Sequence, residues 1–126
     1  MQYITAGESH GPCLTAIVSG VPAGVPLSAE QINSDLARRQ SGYGRGGRQT
    51  IERDQVQVTS GVRFGKTLGT PVTLTVANRD WQNWTDRMAV FGEAPPDLVR
   101  EVTPRPGNAD LVGALKTNVD DCRNIL

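Results

Sequence analysis

Between residues 56 and 76 the apolar side chains fall on alternate positions, Val56 and Val58 and then Val72, Leu74 and Val76, with Val62 continuing the first run. A period of two belongs to an extended chain that shows one face to a core and the other to solvent, so this part of the molecule reads as strands. The connecting residues Arg63-Phe64-Gly65-Lys66-Thr67-Leu68-Gly69 hold two glycines and suit a turn of several residues, which makes the pair antiparallel. Pro71 opens the second strand, where the missing N–H is tolerated.

The amino-terminal residues repeat this pattern. Tyr3 to Ala6 and Cys13 to Ser19 read as two short strands, with Leu14, Ala16 and Val18 alternating against Thr15 and Ser19, around a tight turn at residues 7–12. Gly20-Val21-Pro22-Ala23-Gly24-Val25-Pro26 then interrupts regular structure, because each proline fixes φ and removes a donor. Ser28 predicts a helix start, with Gln31 three residues on completing a capping box, and Gly42 predicts its end. Ile32 and Leu36 give that helix an apolar stripe, Asp35 and Arg39 suit an ion pair four residues apart, and Arg38 and Arg39 occupy the last turn.

Past the strands, Trp81, Trp84 and Met88 share one face if the chain turns helical, as core packing or a subunit contact, with a flavin platform as the alternative. Gly92 to Asp97 reads as a loop and Leu98 to Val102 as a short strand. Arg105-Pro106-Gly107-Asn108-Ala109-Asp110 is a turn that hands over to a helix capped by Asn108 or Asp110, with Leu111, Ala114 and Leu115 inward. Short antiparallel strands with two or more helices predict an α+β fold. A length of 126 residues suits a single domain, 1–126.

Three features narrow the function classes. The formal charge is zero, with 13 basic and 13 acidic residues, which argues against wholesale binding to nucleic acid or membrane. Neither a leader nor an apolar run of roughly 20 residues is present, so a cytoplasmic protein is expected. Cys13 and Cys122 suit reduced, buried thiols rather than a disulfide framework, and no metal site is expected.

Chemistry concentrates in two stretches. His10 is the only histidine, set between Gly7 and Gly11 and beside Glu8, and it is the one side chain whose ordinary titration falls near neutral pH. Residues 41–48, Ser41-Gly42-Tyr43-Gly44-Arg45-Gly46-Gly47-Arg48, pack four glycines and two arginines into one loop, where backbone amides and guanidinium forks can converge on an oxyanion. A flexible solvated loop is the competing reading. The glycine spacing also matches a dinucleotide fingerprint, but a helix precedes it where that motif needs a strand.

These blocks occur in an informative order: Gly7-Glu8-Ser9-His10-Gly11-Pro12, Gly20-Val21-Pro22-Ala23-Gly24, Arg38-Arg39-Gln40 leading into Gly42-Tyr43-Gly44-Arg45-Gly46, Glu52-Arg53-Asp54-Gln55-Val56, Arg105-Pro106-Gly107 and Asp121-Cys122-Arg123-Asn124. Together they resemble chorismate synthase, from Thr5 to Leu126, over the amino-terminal third of the family's length. The family continues into an arginine and serine segment that holds flavin, so the chain is expected to be an incomplete portion of a larger catalytic domain.

The resemblance implies a β-α-β sandwich of strands layered with helices, usually tetrameric. It also implies elimination of phosphate from 5-enolpyruvylshikimate 3-phosphate with reduced FMN that is regenerated within the cycle, with NADPH as a candidate reductant of the flavin. By that resemblance His10 is the general acid, Arg39, Arg45 and Arg48 hold phosphate and carboxylates, and Arg105 is a further contact. Arg39 and Arg45 would also meet NADP. Asn108 stands where the family usually has a histidine near the flavin; an amide has no proton that titrates near pH 7, so that acid role does not carry over. Two alternatives remain: a module that binds a shikimate-type phosphate without consuming it, and a fragment that associates with full-length subunits.

Overall fold

The computed structural model describes residues 1–41 and 53–125. Its centre is a four-stranded antiparallel sheet in the order β1-β2-β6-β3, built from β1 (Gln2–Gly7), β2 (Cys13–Ser19), β3 (Val56–Ser60) and β6 (Val72–Ala77). Between β3 and β6 the chain makes a separate two-stranded hairpin, β4 (Val62–Arg63) and β5 (Lys66–Thr67). Two α-helices, α1 (Ala29–Gln40) and α2 (Asp110–Thr117), complete the α+β fold expected from the sequence.

The register shows why the alternation mattered. Leu14 lies opposite Val76, which faces Val56, and Ala16 lies opposite Leu74, which faces Val58, so one face of the sheet is apolar. The other carries Thr15, Thr75, Gln57 and Thr73 in matching rows. Helix α1 lies over the apolar face against β3, and Ile32 and Leu36 border a groove of about 440 Å³ floored by Leu14, Leu74 and Val76. Asn33 also holds the edge strand directly, its Oδ1 accepting the Val56 N–H at 2.7 Å. Elsewhere that face is open. Leu14 is 49% exposed and Tyr3 78%, and among the described residues only Val72 and Cys122 are buried apolar side chains.

Ser28 caps α1 as its spacing predicts, accepting the Gln31 N–H at 3.4 Å. The expected Asp35–Arg39 pair is corrected: Asp35 takes Arg38, three residues on, at 2.9 Å, while Arg39 reaches Asp54 at 3.7 Å. The expected helix stop at Gly42 lies outside the described residues, and Ser41 caps the end with its N–H on Ala37 O and Arg38 O. The segment 20–27 does more than turn. Gly24 and Leu27 donate to Thr67 O and Gly65 O, and Thr67 N–H returns a bond to Val25 O, so this stretch pairs with the β4–β5 hairpin. Buried Thr67 ties it from the side chain as well, donating to Pro22 O at 2.6 Å and accepting Val25 N–H at 2.9 Å. Thr67→Val keeps the shape and strands both partners; we expect a loss of about 2 kcal/mol, read from the urea midpoint at unchanged m value.

Three further expectations are corrected. Residues 81–88 form no α-helix; a 3-10 helix spans Arg79–Asn83, capped by Asn78, and turns follow it. Residues 98–102 are irregular rather than a strand. At α2 the N-cap position falls on Ala109 with no side-chain cap, and Leu111 and Leu115 are 56% and 75% exposed. The side of α2 that packs carries Gly113, where a Cβ would stand 2.5 Å from Ile125, so glycine permits the close approach of the 3-10 turn Cys122–Asn124.

Candidate functional site

His10 sits on the turn between β1 and β2, closed by Gly11 N–H donating to Glu8 O at 3.1 Å. Its ring is buried, at 7% exposure for the residue, and packs edge-on against the indole of Trp84 with centroids 4.4 Å apart and planes at 71°. Ser9 Oγ lies 2.9 Å from Nδ1. When the serine donates there, neutral His10 carries its proton on Nε2.

The segment after β6 surrounds that turn. Asn78 N–H donates to Pro12 O at 2.9 Å, and its amide Nδ2 donates to Gly11 O at 2.7 Å and Ser9 O at 3.3 Å. Trp84 Nε1–H donates to Asp80 Oδ2 at 3.0 Å, and the Arg87 guanidinium lies 4.9 Å from the centre of the same indole. Arg87 is paired in turn with Glu101. Behind it, Asp121 takes a forked pair of bonds from Arg123 and accepts the Glu101 N–H.

Arg105 and Asp110 form the second cluster. Asp110 is only 1% exposed, and its two carboxylate oxygens accept Nε at 2.8 Å, Nη2 at 2.9 Å and the Arg105 backbone N–H at 2.9 Å. A planar fork on a carboxylate fixes the guanidinium plane and leaves Nη1 outside the clamp. The Arg105 hydrogen bonds come first in holding the Asp110 carboxyl well below its usual range, at about 2, and the charge of His10 adds to them. Arg123 does the same to Asp121, also at about 2.

Both carboxylates are bound more tightly as anions than in an unfolded chain, where 3.8 is ordinary. Their contribution to stability is complete above pH 3.8 and drains away as pH falls from there toward about 2. An acid titration followed by circular dichroism should steepen in that window, and Asp110→Asn should flatten it.

Of the residues the sequence singled out, His10 packs on Trp84 and Arg105 is clamped by Asp110. Arg39 stands on the last turn of α1, its side chain 60% exposed, with Asp54 as its partner. Asn108 is exposed on the turn before α2, its N–H donating to Arg105 O at 3.3 Å. Arg45 and Arg48 lie outside the described residues. Sequence reasoning missed Asn78 as the tie to the histidine turn and Asp80 and Arg87 as the partners of Trp84, and read Asp110 as a cap rather than as the anchor of Arg105. An Asn two residues before an Asp at a strand end is an N-cap signature and was the available signal for the first pair. No spacing rule announces the others.

Known proteins resemble this chain along nearly its whole length. A family model described as chorismate synthase matches residues 1–125. Chorismate synthase of Enterococcus faecalis is 62% identical over 128 aligned residues, covering 100% of this chain and 33% of the relative. That of Aquifex aeolicus is 58% identical over 126 residues, covering 100% of this chain and 32% of its own. A crystal structure of a chorismate synthase superposes with a TM-score of 0.67 at 43% identity, over 99% of this chain and 27% of the other. The chain thus spans about a third of the length of the curated relatives it matches. A match to the family model over residues 1–125, with a solved member superposing over 99% of the chain, places the chain in the chorismate synthase family.

Proposed function

We propose that these 126 residues supply the proton donor and part of the phosphate-holding surface for elimination of phosphate from 5-enolpyruvylshikimate 3-phosphate, giving chorismate. The carrying observation is the buried His10 held on its turn against Trp84, in a chain about 60% identical to chorismate synthases. His10 protonates the departing phosphate oxygen; an imidazole suits that task because its ordinary pKa lies near the working pH. Arg105, its plane fixed by Asp110, presents Nη1 to an anionic group, and Arg39, Arg45 and Arg48 complete the anion site.

Reduced flavin mononucleotide, when bound, supplies electrons that return within the cycle. Asn108 fits beside it as a hydrogen-bond donor on an exposed turn, not as an acid. Exposed Arg39, with Arg45, is the contact for NADPH. The chain belongs to one catalytic domain that acts in the cytoplasm as a homotetramer. Asn108 favours a second reading for the chain by itself, namely binding of the phosphorylated ligand without turnover.

Calorimetry with 5-enolpyruvylshikimate 3-phosphate tests the anion site. Charge-assisted bonds to phosphate contribute about 1.5–3 kcal/mol, so Arg45→Ala should weaken binding by about 10-fold or more. Thr73→Ala, on the threonine face of the sheet where Ser60 Oγ donates to it at 2.9 Å, should leave affinity unchanged. Equal affinities would remove the arginine loop from the site.

A further inference from the structure

We propose that Asn78 and Trp84 are positioning residues for His10, the first fixing its backbone and the second its ring; this rests on the reading of His10 as the proton donor. The amide of Asn78 reaches the carbonyls on either side of His10, Ser9 O and Gly11 O, while its backbone N–H holds Pro12 O. Its Oδ1 meanwhile accepts the Asp80 N–H at 3.1 Å and caps the 3-10 helix Arg79–Asn83. Only a side-chain amide brings two donors and an acceptor to one place at this length. The histidine turn and the 3-10 helix are therefore fastened to one another through a single residue.

That same helix delivers the ring's neighbour. Trp84 follows its last residue, its N–H on Trp81 O at 2.9 Å, and its indole is pinned by Asp80 at the N–H and by Arg87 stacked on the ring. A tryptophan held at two points is a rigid wall. With His10 edge-on to it, the imidazole loses the rotations that would carry Nε2 away from the departing phosphate. Misplacement of a reacting group by about 1 Å can cost on the order of 100-fold in rate, so the fixing bears on chemistry as well as stability.

Because His10 is the only histidine, its imidazole C–H signals in an aromatic carbon–proton NMR spectrum of the full chain have a single origin. We expect one sharp set, displaced from free histidine by the indole ring current. Trp84→Leu should return the signals toward the free position, and the conservative Trp84→Phe should keep part of the displacement. Asn78→Asp keeps an N-capping oxygen but removes both donors, and should split or broaden the set while circular dichroism stays native.

The second readout is turnover with the chain joined to the remaining two thirds of the Enterococcus faecalis relative. There Trp84→Leu and Asn78→Asp should lower kcat about 10-fold or more with KM within about 2-fold. Unchanged His10 signals in both variants would overturn the inference, as would a raised KM at full kcat. Altered signals with full kcat and KM would show that fixing the ring does not bear on turnover, and would overturn the catalytic half while the contacts stand; failure of the proton-donor reading itself would show separately, as full kcat in His10→Gln.

Discussion

Gly61→Ala should destabilise the fold by about 3 kcal/mol or more, the largest loss we expect from a single methyl group in this chain. Gly61 follows the register shift between Val58 and Ser60 at the end of β3, and its φ is +78°, a region that costs an L side chain about 1–2 kcal/mol. The added Cβ would also stand 2.5 Å from Pro71 O and 2.8 Å from Val72 Cα. Both are backbone atoms and cannot rotate aside. Relief would have to move the start of β6, where Val72 is one of the two buried apolar residues among those described. Gly24 is the internal control: its φ is +83° but nothing lies within 4 Å of a Cβ there, so Gly24→Ala should cost only the conformational part, about 1 kcal/mol. Paired urea curves with a shared m value separate the two, and equal midpoints would show that the β3–β6 junction yields more readily than its geometry implies.

His10→Gln should lower chorismate formation by about 10²–10⁴-fold with little change in KM, in the chain joined to the rest of a chorismate synthase. Glutamine retains a hydrogen-bonding end and much of the volume packed on Trp84, but it has no proton to give near neutrality. On the proposed role the effect belongs in kcat, because a proton donor does most when the leaving oxygen gathers charge and less when the ester is intact. Arg105→Ala has the opposite profile. It removes the proposed anion contact, which substrate and transition state would share, and also leaves buried Asp110 without its fork, so KM and stability should suffer together.

The β-strands were legible because period two is enforced locally: Leu14, Leu74 and Val76 alternate with threonines whichever partners they find. Helix α1 was legible from Ser28 and the Ile32–Leu36 stripe. The 79–84 segment was not, because Trp81, Trp84 and Met88 have helical spacing while the bonds of Asn78 to the distant histidine turn decide its path. Leu111 and Leu115 were expected inward on the strength of apolarity alone, yet α2 packs through Gly113. At the site, His10 announced itself by being unique. Its surroundings come from β6 and the turns beyond it, more than 60 residues away, and the hold of Asp110 on Arg105 depends on how one glycine-proline turn folds back. Contacts of that kind are set by the assembled fold, which no local pattern encodes.

Chemical rescue tests most directly whether His10 hands its proton to the departing phosphate. His10→Ala opens a space of imidazole size against Trp84, and free imidazole added to that variant in the joined enzyme should restore chorismate formation by about 10-fold or more, saturably and with imidazole's own pH dependence. A variant whose lost rate stays lost at every imidazole concentration, or one that never loses rate at all, would contradict the account.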